Sequence, residues 1–288
     1  MPEKQEIVAK IQSLARHYQS IMENFGDTQI FSTPKKHILP QKIAITKPAI
    51  PQENYIIATQ MPKISTTQQT QMSQMPSVQK QEKPINKPLQ NNVLFAEITN
   101  EISKFTTLEE LKNYTQTKQI CDIQKHASNI VFGDGNATAK ILVIGEAPGQ
   151  EEDLAGVPFI GRSGELLMNA FSCINLSRQK NFYITNNIFW RPPGNRKPTE
   201  EELLLCRPIL NKIIEIIKPE AIICVGSVAT QNILETEDSI SSLRQKELTS
   251  KNFSQKIFAV YHPSYLLRNP SKKYEMYKDL LFIKSHIN

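Results

Sequence analysis

Three short segments concentrate the glycines and polar side chains that could line one ligand pocket. The first, GEAPGQEEDLAGVPFIGRSGELL at residues 145–167, holds five of the ten glycines of the 288-residue chain. Such density marks backbone brought close to something it binds. The second, ITNNIFWRPPGNRKPTEEE at residues 184–202, offers the Asn186 amide, which donates and accepts side by side, followed by Arg191, Arg196 and Lys197. The third, YHPSYLLRNP at residues 261–270, presents His262 directly after an apolar run. A carboxylate (Glu146), an amide and an imidazole could bind a polar ligand and move a proton. Each segment alone also fits a plainer role: a tight turn, a turn-capping Asn, a satisfied His. The glycine spacing matches neither the GK[ST] phosphate loop nor the GxGxxG dinucleotide fingerprint.

What unites the three is the elements that must carry them. Residues 140–145 (KILVIG), 181–186 (NFYITN), 221–226 (AIICVG) and 256–261 (KIFAVY) are short apolar runs of the buried-strand type. Helical patterns over 164–174, 199–217, 227–234 and 271–287 alternate with them. Thr107 with Glu110, and Thr199 with Glu202, have the spacing of capping boxes. The expected fold is α/β: a three-layer α/β/α sandwich around a mainly parallel sheet. In such sheets ligands sit at the carboxyl ends of the strands, where all three segments would converge.

The remainder of the chain differs in kind. Residues 1–26 read as one amphipathic helix, with Ile7, Ile11, Leu14, Tyr18, Ile21 and Phe25 on one face. Residues 27–92 read as a disordered Pro/Gln-rich linker: residues 28–93 hold eight prolines, eleven glutamines and no glycine. A folded domain is expected over 93–288. No apolar run is long enough to span a membrane, and residues 1–10 lack the pattern of a secretory signal. Four cysteines without such a signal suit a reducing compartment, so the expected location is cytoplasmic. The formal charge is +6. It is uneven: residues 1–93 hold 11 Lys/Arg against 6 Asp/Glu, and residues 94–288 hold 23 against 22.

The loops GEAPG, PFIGRSGELL, ITN…RPPGNRKPT and HPSYLLRNP occur in an order and spacing over residues 121–283 that resembles the family-4 type of uracil-DNA glycosylase. The resemblance implies a base-excision repair enzyme that hydrolyses the N-glycosidic bond of a uracil flipped out of DNA. Residue by residue, it makes His262 the donor to the uracil anion, Asn186 the reader of the base edge, and Phe159 the ring stacked on it. Glu146 then positions water or stabilises the sugar cation, and Gly145, Ala147 and Glu152 line the base pocket, Glu152 beside uracil C5. For Glu151, Glu152 and Asp153 a solvated acidic turn remains open. On the DNA side it implies Ser163 and Ser264 as phosphate contacts, Arg191 and Arg196 as basic contacts, and Tyr265, Leu266 and Leu267 as a wedge. Arg268 would hold a phosphate or fill the gap. Ala147 stands where better-known uracil glycosylases carry a water-activating Asp. Two alternatives fit the same residues: a non-catalytic DNA-binding or polymerase-associated relative, and a glycosylase for another deaminated base. The N-terminal helix and linker would dock a repair or replication protein.

The resemblance also implies a [4Fe–4S] cluster on four cysteines. Only Cys121 and Cys206 stand at those positions here; the other two are Lys118 and Trp190. Lys is a poor iron ligand and Trp is none, so no cofactor is expected, with Phe189 and Trp190 filling the volume. Cys173 and Cys224 read as buried core cysteines. Gln245 stands where the family usually has glycine after arginine, so the turn there is expected to differ.

Overall fold

The computed structural model describes residues 87–287. The helices are α1 (Lys87–Ile102), α2 (Leu108–Thr117), α3 (Gln150–Ala155), α4 (Arg162–Ser172), α5 (Glu200–Ile217), α6 (Ser227–Leu234), α7 (Ile240–Leu243), α8 (Pro263–Arg268) and α9 (Lys273–His286). The strands are β1 (Asp134–Gly135), β2 (Ile141–Gly145), β3 (Phe182–Asn186), β4 (Ala221–Val225) and β5 (Lys256–Val260). The terminal helix expected over 1–26, and the linker as far as residue 86, lie outside the described residues. Residues 87–92 are helical, although their composition placed them in the linker. Pro88 falls in the first turn, where its missing N–H costs nothing. Ile98 and Ile102, one turn apart, bury the far end of α1.

The sheet order is β1-β3-β2-β4-β5, with β2, β3, β4 and β5 parallel and β1 antiparallel to β3. Period-two alternation divides each strand between two cores. Leu142, Ile144, Ile222 and Cys224 face one layer with α1, α2 and α5; Ile141, Val143, Ile184, Ile223 and Val225 face the other with α4 and α9. This is the expected three-layer sandwich. β2, β3 and β4 are buried along their whole length. Each fully buried Ile, Leu or Phe contributes roughly 1.5–3 kcal/mol. At the far edge Leu248 makes a single antiparallel bridge to Ile257.

Both expected capping boxes form. Thr107 Oγ1 accepts from the Glu110 N–H at 3.2 Å, and Thr199 Oγ1 from the Glu202 N–H at 3.2 Å. The acidic turn of residues 151–153 is a helix instead, α3. Its Asp153 is 3% exposed and accepts from the N–H groups of Ser128 at 2.8 Å and Asn129 at 3.3 Å. These bonds stitch α3 to the loop before β1, so the solvated-turn alternative is excluded for Asp153. Cys224 is buried as expected, but Cys173 is only half-buried, at the end of α4. Gln245 takes φ +54°, the left-handed region that suits glycine. The turn geometry thus tolerates a residue with a Cβ.

Candidate active site

The parallel register brings the site together. Gly145 pairs with Asn186 at the ends of β2 and β3, and Val225 with Val260 at the ends of β4 and β5. The residues that follow these ends surround a cavity of about 510 Å3. Its walls include Glu146, Ala147, Glu152, Phe159, Ser163, Asn186, Arg196, His262, Ser264, Tyr265 and Arg268, all expected from the sequence. Pro148, Gly149, Pro192, Asn195 and Lys197 complete it.

His262 caps α8. Its Nδ1 accepts from the Ser264 N–H at 3.2 Å. An accepting Nδ1 leaves the proton of a neutral ring on Nε2, which becomes a donor. Burial, reinforced by the Arg268 charge and opposed by Glu152, lowers the pKa from 6.5 to about 4, so the ring is neutral near pH 7. The Asn186 Oδ1 is buried without a hydrogen-bond partner. Asn186 belongs to the cavity wall, and a buried acceptor left unpaired there is a group that a ligand's donor would satisfy. Phe159 lies 6.3 Å from the His262 ring, inclined at 37°. Burial raises the Glu146 carboxyl above its usual value, against the pull of Lys197.

Two glycines make this packing feasible. A Cβ on Gly145 would collide with both Asn186 Oδ1 and the Phe159 ring. Gly145 therefore stands behind the cavity wall rather than in it. Gly226, at φ +93°, lets His262 approach so closely that a Cβ there would lie 2.9 Å from the His262 Cβ.

Glu152 stands in the cavity wall, as its position implied, and also braces it. Its carboxylate accepts from the N–H groups of Gly149 at 3.1 Å, Ile160 at 3.0 Å and Gly161 at 2.9 Å. It ties the two glycine-rich loops into one wall. Ser163 and Ser264 share a hydroxyl hydrogen bond of 2.8 Å across the cavity mouth. Arg196 is held by Glu202 in a two-bond pair at 2.9 and 2.6 Å, which bolts the RPPGNRK loop to the start of α5. Arg191 lies outside the cavity wall and donates to Asn195 Oδ1 at 2.7 Å. Leu266 is fully buried in the core, so it cannot be part of a wedge. Leu267, 38% exposed, is the apolar side chain that α8 turns outward. Tyr265 stands against Tyr261, with ring centroids 5.0 Å apart.

The comparison with known families decides the lineage. Residues 132–282 match the model of the uracil DNA glycosylase superfamily. The chain belongs to that superfamily. Among curated relatives it is 37% identical over 179 residues to a type-4 uracil-DNA glycosylase of Archaeoglobus fulgidus, which covers 60% of this chain and 89% of that protein. A type-4 enzyme of Saccharolobus solfataricus is 38% identical over 177 residues, covering 59% of this chain and 82% of that protein. One from Thermotoga maritima is 38% identical over 154 residues, covering 53% and 79%. The glycosylase superfamily fold is the α/β sandwich described above.

The residues at the four cluster positions do not fit an iron–sulfur cluster. Lys118 Nζ is engaged by Glu97 at 2.8 Å and Glu101 at 3.0 Å. Trp190 is 4% exposed and stands edge-on to Phe189, which stacks on Phe132. The neighbouring Cys121, together with burial, raises the Cys206 thiol well above its usual value. Among the described residues no group of three or more His, Cys, Asp or Glu side chains is placed to hold a metal. Nor, among them, is any helix long and apolar enough to cross a membrane.

Proposed function

We propose that this site hydrolyses the N-glycosidic bond of uracil in DNA, leaving an abasic site for base-excision repair. The observation that carries the reading is the pairing of the orphaned Asn186 Oδ1 with a neutral His262 whose Nδ1 is already occupied. Uracil presents an N3–H donor between two carbonyl acceptors. The Asn186 oxygen accepts from N3–H while its NH2 donates to O4; cytosine presents the reverse pattern and is refused. His262 Nε2–H donates to O2, where negative charge gathers as the bond to the sugar breaks. A neutral donor does this without first transferring its proton. Phe159 stacks on the base.

Ala147 offers no carboxylate to activate water. The acceleration therefore comes mainly from stabilising the departing uracil anion. Glu146, at the cavity wall, orients water or balances the sugar cation. Ser163, Ser264 and Arg268 contact the phosphates, with Leu267 and Tyr265 entering the opened stack. Arg196, committed to Glu202, shapes the loop more than it binds DNA.

The chain does without a cluster: Trp190 and Phe189 supply packed surface, and Lys118 an ion-paired link between α1 and the end of α2. Residues 1–86 serve as a tether to a repair or replication protein in the cytoplasm, a reading that rests on their composition. The decisive assay is alkali-labile scission of an oligonucleotide containing one uracil. Cleavage by the wild type, reduced by orders of magnitude in Asn186→Ala and His262→Ala, is expected. Binding without cleavage would point to a non-catalytic relative.

A further inference from the structure

Phe159 has φ +54°, a conformation that is strained for a bulky residue. Strain of that kind persists only where surrounding bonds over-determine it. The bonds come from Arg178, which lies between α4 and β3 and lines no part of the cavity. The residue is 9% exposed. Its Nη1 donates to the Pro158 carbonyl at 2.9 Å and its Nη2 to the Phe159 carbonyl at 2.7 Å. Nη1 also reaches Asp134 of β1 at 3.0 Å, which balances the charge. The Arg178 backbone is itself fixed, its carbonyl accepting from the Asn136 N–H at 3.3 Å. On the other side, Gly164 packs so tightly on the Phe159 backbone that a Cβ there would collide with it.

We propose that Arg178 is a positioning residue that clamps two successive carbonyls and so holds the Phe159 ring against Gly145 and Asn186, ready for the base. The identity of that base rests on the function proposed above. A planar fork can serve two carbonyls and a carboxylate at once; an ammonium in the same place cannot reproduce the geometry. With the fork removed, Phe159 relaxes out of the left-handed region and its ring leaves the place where a base would stack.

Arg178→Lys tests this. Inhibition by free uracil, which uses the base pocket alone, should weaken by about tenfold, while affinity for abasic-site DNA stays within about twofold. The loss in kcat/KM should fall to less than about twofold when the same substitution is made in a Phe159→Ala background. Equal losses in both backgrounds, or unchanged inhibition by uracil, would overturn the proposal. Should the Lys variant fail to fold, Asp134→Asn keeps the fork but removes its counter-charge. It should show the same coupling to Phe159, at about two- to fivefold, and additive effects would again overturn it. If the wild type does not cleave uracil DNA, the functional reading fails and the clamp is judged separately. The 19F resonance of Phe159 in 4-fluorophenylalanine-labelled protein should be single in the wild type and broadened or split in Arg178→Lys. An unchanged resonance would refute the clamp.

Discussion

At the scale of single residues, the site depends on what is missing as much as on what is present. Gly145 contributes no side chain, and that vacancy lets Asn186 and Phe159 meet. Gly145→Ala should lower kcat/KM by about a hundredfold or more with the chain still folded, as checked by steady-state cleavage beside circular dichroism. Glu146 and His262 make opposite pH predictions. The raised Glu146 pKa places an acid limb of kcat/KM above the ordinary carboxylate range, and Glu146→Gln should remove it. His262 should add no inflection between pH 6 and 8, because its folded pKa is about 4. That value lies below the ordinary 6.5, so the unfolded chain takes up the proton first as pH falls from 6.5 towards 4. Stability should decline across that window, and thermal melts of His262→Asn should show a shallower decline. Glu146, Phe159, Asn186 and His262 could be picked out as candidate wall residues because each lies at a strand end or in a glycine-rich loop, within motifs that resemble the family's. Arg178 was not: an arginine in a polar turn looks like surface until its two carbonyl partners, about twenty positions away, are seen.

At the scale of elements, strands and caps were legible because alternation and capping boxes are local signals. What was not legible needed tertiary contacts. Helix α3 is only six residues long and acidic, yet Asp153 and Glu152 are spent on distant N–H groups. The start of α1 is hidden by a polar, proline-containing turn. Leu266 and Leu267 are adjacent and chemically identical; only the packing of α8 decides which one faces out. The loop bearing Tyr261 and His262 is braced by a buried pair, Arg244 with Asp279 at 2.6 and 2.8 Å, and the Arg244 guanidinium lies 3.9 Å over the Tyr261 ring. Asp279→Asn leaves that buried cation only the longer ion pair to Glu275, at 3.5 Å, and should cost about 3 kcal/mol in chemical denaturation. Trp190 and Lys118 carry a second element-scale prediction: purified protein should be colourless, without a band near about 400 nm and without stoichiometric iron.

At the scale of the whole molecule, charge and chemistry are separated. Residues 94–288 carry 23 Lys/Arg against 22 Asp/Glu, while residues 1–93 hold most of the excess. A chain beginning at residue 87 should keep its cleavage rate on short oligonucleotides. It should bind non-specific DNA more weakly at low salt, with a shallower dependence on salt concentration. The two ends of the sheet carry a further consequence. A parallel sheet open at both sides would expose unpaired N–H and C=O groups to any other strand it met. Here the two-residue β1 covers one side and the Leu248 bridge interrupts the other. A bare strand edge is a template for aggregation, and short covering pieces are the usual protection against it. The same β1 supplies Asp134 to Arg178. Loss of this small strand would therefore cost the protein both its catalytic order and its resistance to clumping.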